Sequence, residues 1–181
     1  MKVMTDEITA LKFPIGPFAV KPDISAQELQ AYIHTIEAAP AKYRALTNGR
    51  TSADLSKTYR PGSWTVHQIV NHVADMQLLH LFRMKKALTE NDYKDLTLVN
   101  IDGWAQTPDG ISAPLADSLD MIESITKRFV YLMRSLSDTQ LSIAYYHPVR
   151  KITLNQRQAI SMSAWHVEHH LAHIRIAFGV N

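Results

Sequence analysis

From Ser25 onward the apolar positions recur at helical spacing, with Leu29, Tyr32, Ile33 and Ile36 on one face. Ser25 can cap such a helix and Glu28, three residues on, can complete a capping box. The pattern predicts a first helix over about 25–47, ending near Asn48-Gly49 and running through Pro40. After a loop through Tyr59, Arg60, Pro61 and Gly62, the stretch SWTVHQIVNHVADMQLLHLFRMKKALTE reads as a second helix. Ser63 or Thr65 can cap it, and Lys85 and Lys86 favour the negative end of its dipole.

Residues 91–113 contain Asn91-Asp92, Asp102-Gly103, Pro108 and Asp109-Gly110 and read as a long connection. A third helix spans about Pro114 to Leu136, with Leu119, Ile122, Ile125, Phe129, Leu132 and Met133 on one side. The alternating, β-branched stretch IAYYHPVRKITL around His147-Pro148 predicts a short hairpin-like excursion, and a fourth helix follows from about Asn155 to Phe178, closed by Gly179. Ahead of all this, LKFPIGPFAVKPD carries three Pro among apolar residues, which fits an extended N-terminal arm laid across a core. Four amphipathic segments with no repeat and no βαβ alternation predict an all-α four-helix bundle, one domain over residues 1–181.

Composition supports a globular chain: 181 residues, 46% hydrophobic and 20% charged, with no apolar run approaching a bilayer span. The opening MKVMTDEITA has no apolar core or small-residue cleavage site of the secretory kind, so the cytoplasm is the expected compartment. A formal charge of +2, with the basic residues scattered, gives no footprint for nucleic acid. Zero Cys removes disulfides, thiolate metal sites and a Cys nucleophile together, leaving His, Asp and Glu as candidate metal ligands.

Histidine is the outlier. Nine His in 181 residues place about 0.4 in a random eight-residue window, yet the window from His166 to His173, within WHVEHHLAHI, holds four. With about 100° of turn per residue and His166 at zero, His169 falls at about 300°, His170 at about 40° and His173 at about 340°. Arg157, Ser161, Glu168 and Arg175 fall at about 180–220° and form the polar seam, so the His stripe faces inward. On the second helix His72 borders the apolar face with Ile69, Met76 and Leu79, and His80 does too, whereas His67 lies with Asn71 and Lys85 and reads as a surface residue.

A lone buried His is usually satisfied by backbone or water, but four on one stripe would each forfeit about 1–3 kcal/mol without partners. A shared divalent ion accounts for them better. An i, i+4 pair on the last helix plus one His from a neighbouring helix could hold it, the alternatives being His169/His173 and His166/His170, and spacing does not choose between them. Such a site can lower the pKa of bound water to about 7 or hold a thiolate. Asp75, one turn from His72, is the nearest carboxylate for a supporting or base role. Trp64, Trp104 and Trp165 could wall a pocket or pack the core. No HExxH, GxGxxG, Walker A or GxSxG string occurs, and the HxE at His166–Glu168 lacks the PCxxC of a zinc deaminase.

The segments PGSWTVHQIVNHVADMQLLH, AYYHPVRKITL and WHVEHHLAHI, with FPIGPF near the start, resemble the DinB superfamily and within it the YfiT-type metal-dependent hydrolases. The resemblance runs over nearly the whole chain. It implies a four-helix bundle whose ligands carry over to His72 of NHVAD and to His169 and His173 of HHLAH, with His166, His170, His80 and His147 left without assigned roles. It also implies zinc or nickel as the metal, a small-molecule substrate and a homodimer. The expected function is a hydrolase activating water at a three-His site. Similar proteins use bacillithiol or related low-molecular-weight thiols as S-transferases, so thiol transfer is the alternative, and a non-catalytic metal-binding stress-response module is the reading outside enzymes. The narrow polar seam of the last helix also points towards a homodimer, since it leaves more apolar surface than one bundle needs to cover.

Overall fold

A computed structural model describes residues 2–180, with side chains from Glu7 onward. In chain order the elements are α1 (Lys2–Lys12), α2 (Ala26–Thr47), α3 (Ser52–Leu55), α4 (Val66–Thr89), α5 (Ile101–Trp104) and α6 (Pro108–Ser112), followed by α7 (Leu115–Ser135), α8 (Asp138–Leu141), β1 (Ala144–His147), β2 (Ile152–Asn155) and α9 (Gln156–Phe178). The long helices α2, α4, α7 and α9 are the four expected from the apolar spacing. The helix α1 was not foreseen, and it takes in Leu11 and Lys12 at the start of the Pro-rich stretch.

Local chemistry sets the ends of these helices. Ser25, Thr65 and Asn155 each accept a hydrogen bond from the third backbone N–H of α2, α4 and α9, and the side-chain oxygens of the residues there, Glu28, Gln68 and Gln158, accept one from the backbone N–H of the cap. Gly179 ends α9 in the left-handed conformation, φ 66°, which costs glycine little.

Packing runs around a ring: α2 lies against α9 and α7, and α4 lies against the same two helices. Ile33, Ile36, Met84, Phe129, Met133 and Ile160 fill one end of the core, and Tyr43, Val66, Ile69, Val70, Ile122, Leu171 and Ile174 the other. A third cluster seats the antiparallel β1–β2 hairpin, with Tyr145 and Leu154 packed on Ala87, Ala159 and Met162. Because α4 and α9 are ring neighbours, their histidines meet along one seam.

The extended arm follows α9 in the opposite direction. His173 contacts the Lys12 carbonyl, the Phe13 ring faces His169, Trp165 donates to the Gly16 carbonyl, and Gln158 donates to that of Lys21. The arm thus covers part of the α9 surface between α2 and α4. Large exposed apolar residues include Leu78 and Phe82 of α4, Tyr131 of α7, and Phe13 and Ile15 of the arm itself. The polar seam is also narrower than the helical angles predict, since Ser161 is buried and turns its hydroxyl onto the Gln158 carbonyl. No helix among the described residues is long and apolar enough to cross a membrane.

Candidate metal centre

The inward His stripe of α9 meets His72 and His80 of α4. Five of these residues (His72, His80, His169, His170 and His173) are buried, and His166 is half-buried. Two sets of three bring their ring nitrogens within 4.8 Å of one another among the described residues: His72 with His166 and His170, and His169 with His170 and His173. His72 is therefore brought together with the His166/His170 pair, while His169 and His173 form a second set joined to the first through His170. Asp75 belongs to neither set; it is half-buried and has its pKa raised by burial and by the charge of Asp109.

In the first set the Nε2 atoms of His72 and His166 face one another at 3.1 Å. Two ligands about 2.0–2.1 Å from one tetrahedral ion stand about 3.3 Å apart, so this spacing suits a shared ion. The rings of His72 and His170 are 4.8 Å apart and those of His166 and His170 4.6 Å. Trp64 covers His72 at 4.7 Å between centroids.

The second set is tied to the arm. His173 Nε2 lies 3.2 Å from the Lys12 carbonyl, an acceptor only, so that nitrogen carries the proton and Nδ1 carries the lone pair. His170 Nδ1 lies 3.4 Å from that lone pair and is the donor to it. The lone pair of His170 is then on Nε2, free for a ligand. Tyr59 stacks on His173 at 3.8 Å and Trp165 on His169 at 4.4 Å, while His169 Nδ1 is buried without a hydrogen-bond partner. His80 is fixed in the same manner: the Ser163 hydroxyl gives its proton to the Ala159 carbonyl and accepts from His80 Nδ1 at 3.0 Å.

Burial keeps these rings neutral. It pushes His72 down to about 4, helped by the charge of His169, and His80 to about 3, helped by that of Arg83. His169 and His173 are both pushed to about 4, again first by burial, and His166 and His170 fall well below the usual imidazole range for the same reason. Neutral imidazoles are the form that binds metal.

Two residues are placed differently from the sequence reading. His67 is half-buried and not a surface group: it holds the Ala113 carbonyl through Nε2 at 2.9 Å and meets Asn71 through Nδ1, pinning the connection after α6. Trp104 is exposed and does not pack in the core. The use of His170 as the link between the sets was beyond sequence, because it depends on which carbonyl the arm brings to His173.

The sequence profile of the DinB superfamily matches residues 35–174, a span containing all six cluster histidines. The chain belongs to the DinB superfamily. It is 38% identical over 167 residues to a protein of Bacillus pumilus (strain SAFR-032) named as a candidate metal-dependent hydrolase, covering 92% of this chain and 94% of that one. It is 32% identical over 164 residues to YfiT of Bacillus subtilis (strain 168), which carries the same description, covering 91% and 92%. The solved structure of Bacillus subtilis YfiT, described as a four-helix bundle of unusual topology, superposes with a TM-score of 0.88 at 30% identity, over 95% of this chain and 99% of that one.

Proposed function

We propose that this DinB-superfamily chain is a metal-dependent hydrolase in which His72, His166 and His170 hold one divalent ion. The facing Nε2 atoms of His72 and His166 carry the reading, since two imidazole nitrogens 3.1 Å apart, with the His170 ring beside both and no carboxylate in the set, have the spacing of ligands to one cation. An all-imidazole set suits zinc or nickel. This choice departs from the His169/His173 pair that the family resemblance implied. It is supported by the proton accounting along Lys12, His173 and His170, which gives His173 the work of orienting a ligand.

When bound, a divalent ion supplies Lewis acidity and makes water acidic enough to ionise near neutrality. The chain's own residues do the rest. His173 and the Lys12 carbonyl fix the tautomer of His170, Ser163 fixes that of His80, and Trp64, Tyr59 and Trp165 wall the cluster from bulk water. The descriptions of the relatives as candidate metal-dependent hydrolases support hydrolysis as the first reading.

Elemental analysis and ester and amide hydrolysis panels test this together on His72→Ala, His166→Ala, His170→Ala and His173→Ala. The first three are expected to lose both the ion and turnover, and His173→Ala to retain the ion at reduced affinity. Full metal content in His166→Ala with none in His173→Ala would move the site to the other pair. Turnover only with an added thiol would move the chemistry to group transfer.

A further inference from the structure

The side of α4 turned away from the histidines meets α7 in a groove of one charge sign. With about 100° of turn per residue and His72 at zero, His80 falls at about 80°, whereas Leu81, Lys85, Leu78 and Phe82 fall at about 180°, 220°, 240° and 280°. Leu81 and Lys85 of α4 line one cavity of about 450 Å³ with Arg128, Tyr131, Leu132 and Ser135 of α7. These α7 positions follow the i, i+3, i+4, i+7 spacing of a single helix face. Leu81 belongs to the core cluster and Leu132 packs against it, so the cavity has an apolar floor. The Tyr131 ring is 80% exposed, and Leu78 and Phe82 carry the apolar strip on along α4, both exposed.

Lys127 lines the same cavity, which gives it three cations and no acid in its lining. Lys127 has Glu123 one turn back at 2.6 Å, while Lys85 and Arg128 form no ion pair among the described residues. The neighbouring cavity, between α7 and α2, is larger at about 780 Å³, but its charges are spent on one another, Arg134 on Glu37 and Arg44 on Glu123. A second copy of this chain would not suit the α4–α7 groove, because a two-fold contact through this face sets the cations of one copy against those of the other. A flat bilayer does not fill a concavity between two helices. An apolar floor edged by cations fits one narrow molecule with an apolar body and an anionic end.

We propose that the α4–α7 groove is a binding site, separate from the metal centre, for a single apolar chain ending in a carboxylate. The chain lies on Leu81 and Leu132 beside Tyr131, and Lys85 and Arg128 hold the carboxylate. Each methylene taken out of water adds to binding, and charge-assisted hydrogen bonds select the anionic end. Neither part suffices alone: exposed cations gain little from a small anion in water, and an uncharged chain meets no selection. The site does not depend on which histidines hold a metal.

The test is titration of the isotopically labelled protein, as purified, with octanoate, octanol and acetate, followed by its amide chemical shifts. Octanoate is expected to bind about tenfold more tightly than octanol or acetate, with the shifts gathered on α4 from Leu78 to Lys85 and on α7 from Arg128 to Ser135. Lys85→Gln combined with Arg128→Gln, both at exposed positions, is expected to bind octanoate no more tightly than octanol, and Lys85→Arg with Arg128→Lys to keep the preference. Ser135→Trp, also at an exposed position, fills the cavity and is expected to weaken octanoate and octanol alike. Equal binding of octanoate and octanol by the parent, or a preference unaltered in the double glutamine variant, overturns the proposal. So do shifts centred on the histidine face of α4 and α9, which would send the carboxylate to the metal. Attachment to vesicles containing phosphatidylglycerol without binding of free octanoate overturns it in favour of a membrane surface. Shifts over the same residues on dilution of the ligand-free protein overturn it in favour of a second copy.

Discussion

Trp165 lies nearly parallel to His169, ring centroids 4.4 Å apart, and from that position its indole N–H donates to the Gly16 carbonyl at 3.0 Å. One residue of α9 thus covers a cluster histidine and holds the arm. Trp165→Phe keeps a ring there and loses the donor, for an expected cost of about 1 kcal/mol. Trp165→Ala loses both, for roughly 3 kcal/mol. Urea denaturation reads the cost, and limited proteolysis between residues 13 and 24 reads release of the arm. An unchanged denaturation midpoint in Trp165→Ala would show that this contact does not hold it.

Acid should unfold the metal-free protein through its histidines. Burial holds His72 at about 4 and His80 at about 3 in the folded state, against 6.5 for an unperturbed imidazole. Between those values the unfolded chain takes up protons that the folded chain refuses, so stability is whole above pH 6.5 and drains as pH falls towards 4. Each such residue removes up to about 1.4 kcal/mol per pH unit. Chelated protein is expected to be at least about 2 kcal/mol less stable at pH 5.5 than at pH 7.5, and His80→Gln to show a shallower fall. A flat profile would mean that the rings are not kept neutral.

What the sequence made legible follows from periodicity and caps. The four long helices announce themselves because apolar spacing and the cap residues Ser25, Thr65, Asn155 and Gly179 are local signals. The inward His stripe is legible for the same reason. The division of that stripe is not, because His166/His170 and His169/His173 have identical spacing and differ only in what the arm and α4 bring to them. Lys12 reaches His173 across 161 positions of chain, and His72 reaches His166 across 94, so both contacts are tertiary facts. Likewise Arg83 looks like an ordinary scattered basic residue until its burial is seen.

The hairpin turn offers a prediction of opposite sign to most substitutions. Lys151 pays a steric penalty at φ 54° that glycine avoids, partly offset by the greater freedom glycine has when unfolded. Lys151→Gly is therefore expected to stabilise by about 0.5–1 kcal/mol, and Lys151→Val, with a branched β-carbon, to destabilise by more than that. Thermal melts of the two variants check it. A Lys151→Gly variant less stable than the parent would show that the lysine side chain makes up the backbone penalty.

Metal removal should report the ligand set without any assay of activity. An ion bound by the folded chain alone stabilises it by about 2.7 kcal/mol when free metal is 100 times Kd, which for a chain of this size raises Tm by roughly 5–10 °C. Loss of one of three imidazoles from the set removes most of that affinity, whereas loss of a residue that only orients a ligand weakens metal binding about 10–100-fold. At a zinc concentration far above Kd, His166→Ala is expected to melt at the same temperature with and without chelator, and His173→Ala to keep a reduced but measurable shift. Each variant serves as its own reference, so a general loss of stability from removing a buried ring cancels. A full shift in His166→Ala together with none in His173→Ala would transfer the ion to the set nearer the arm.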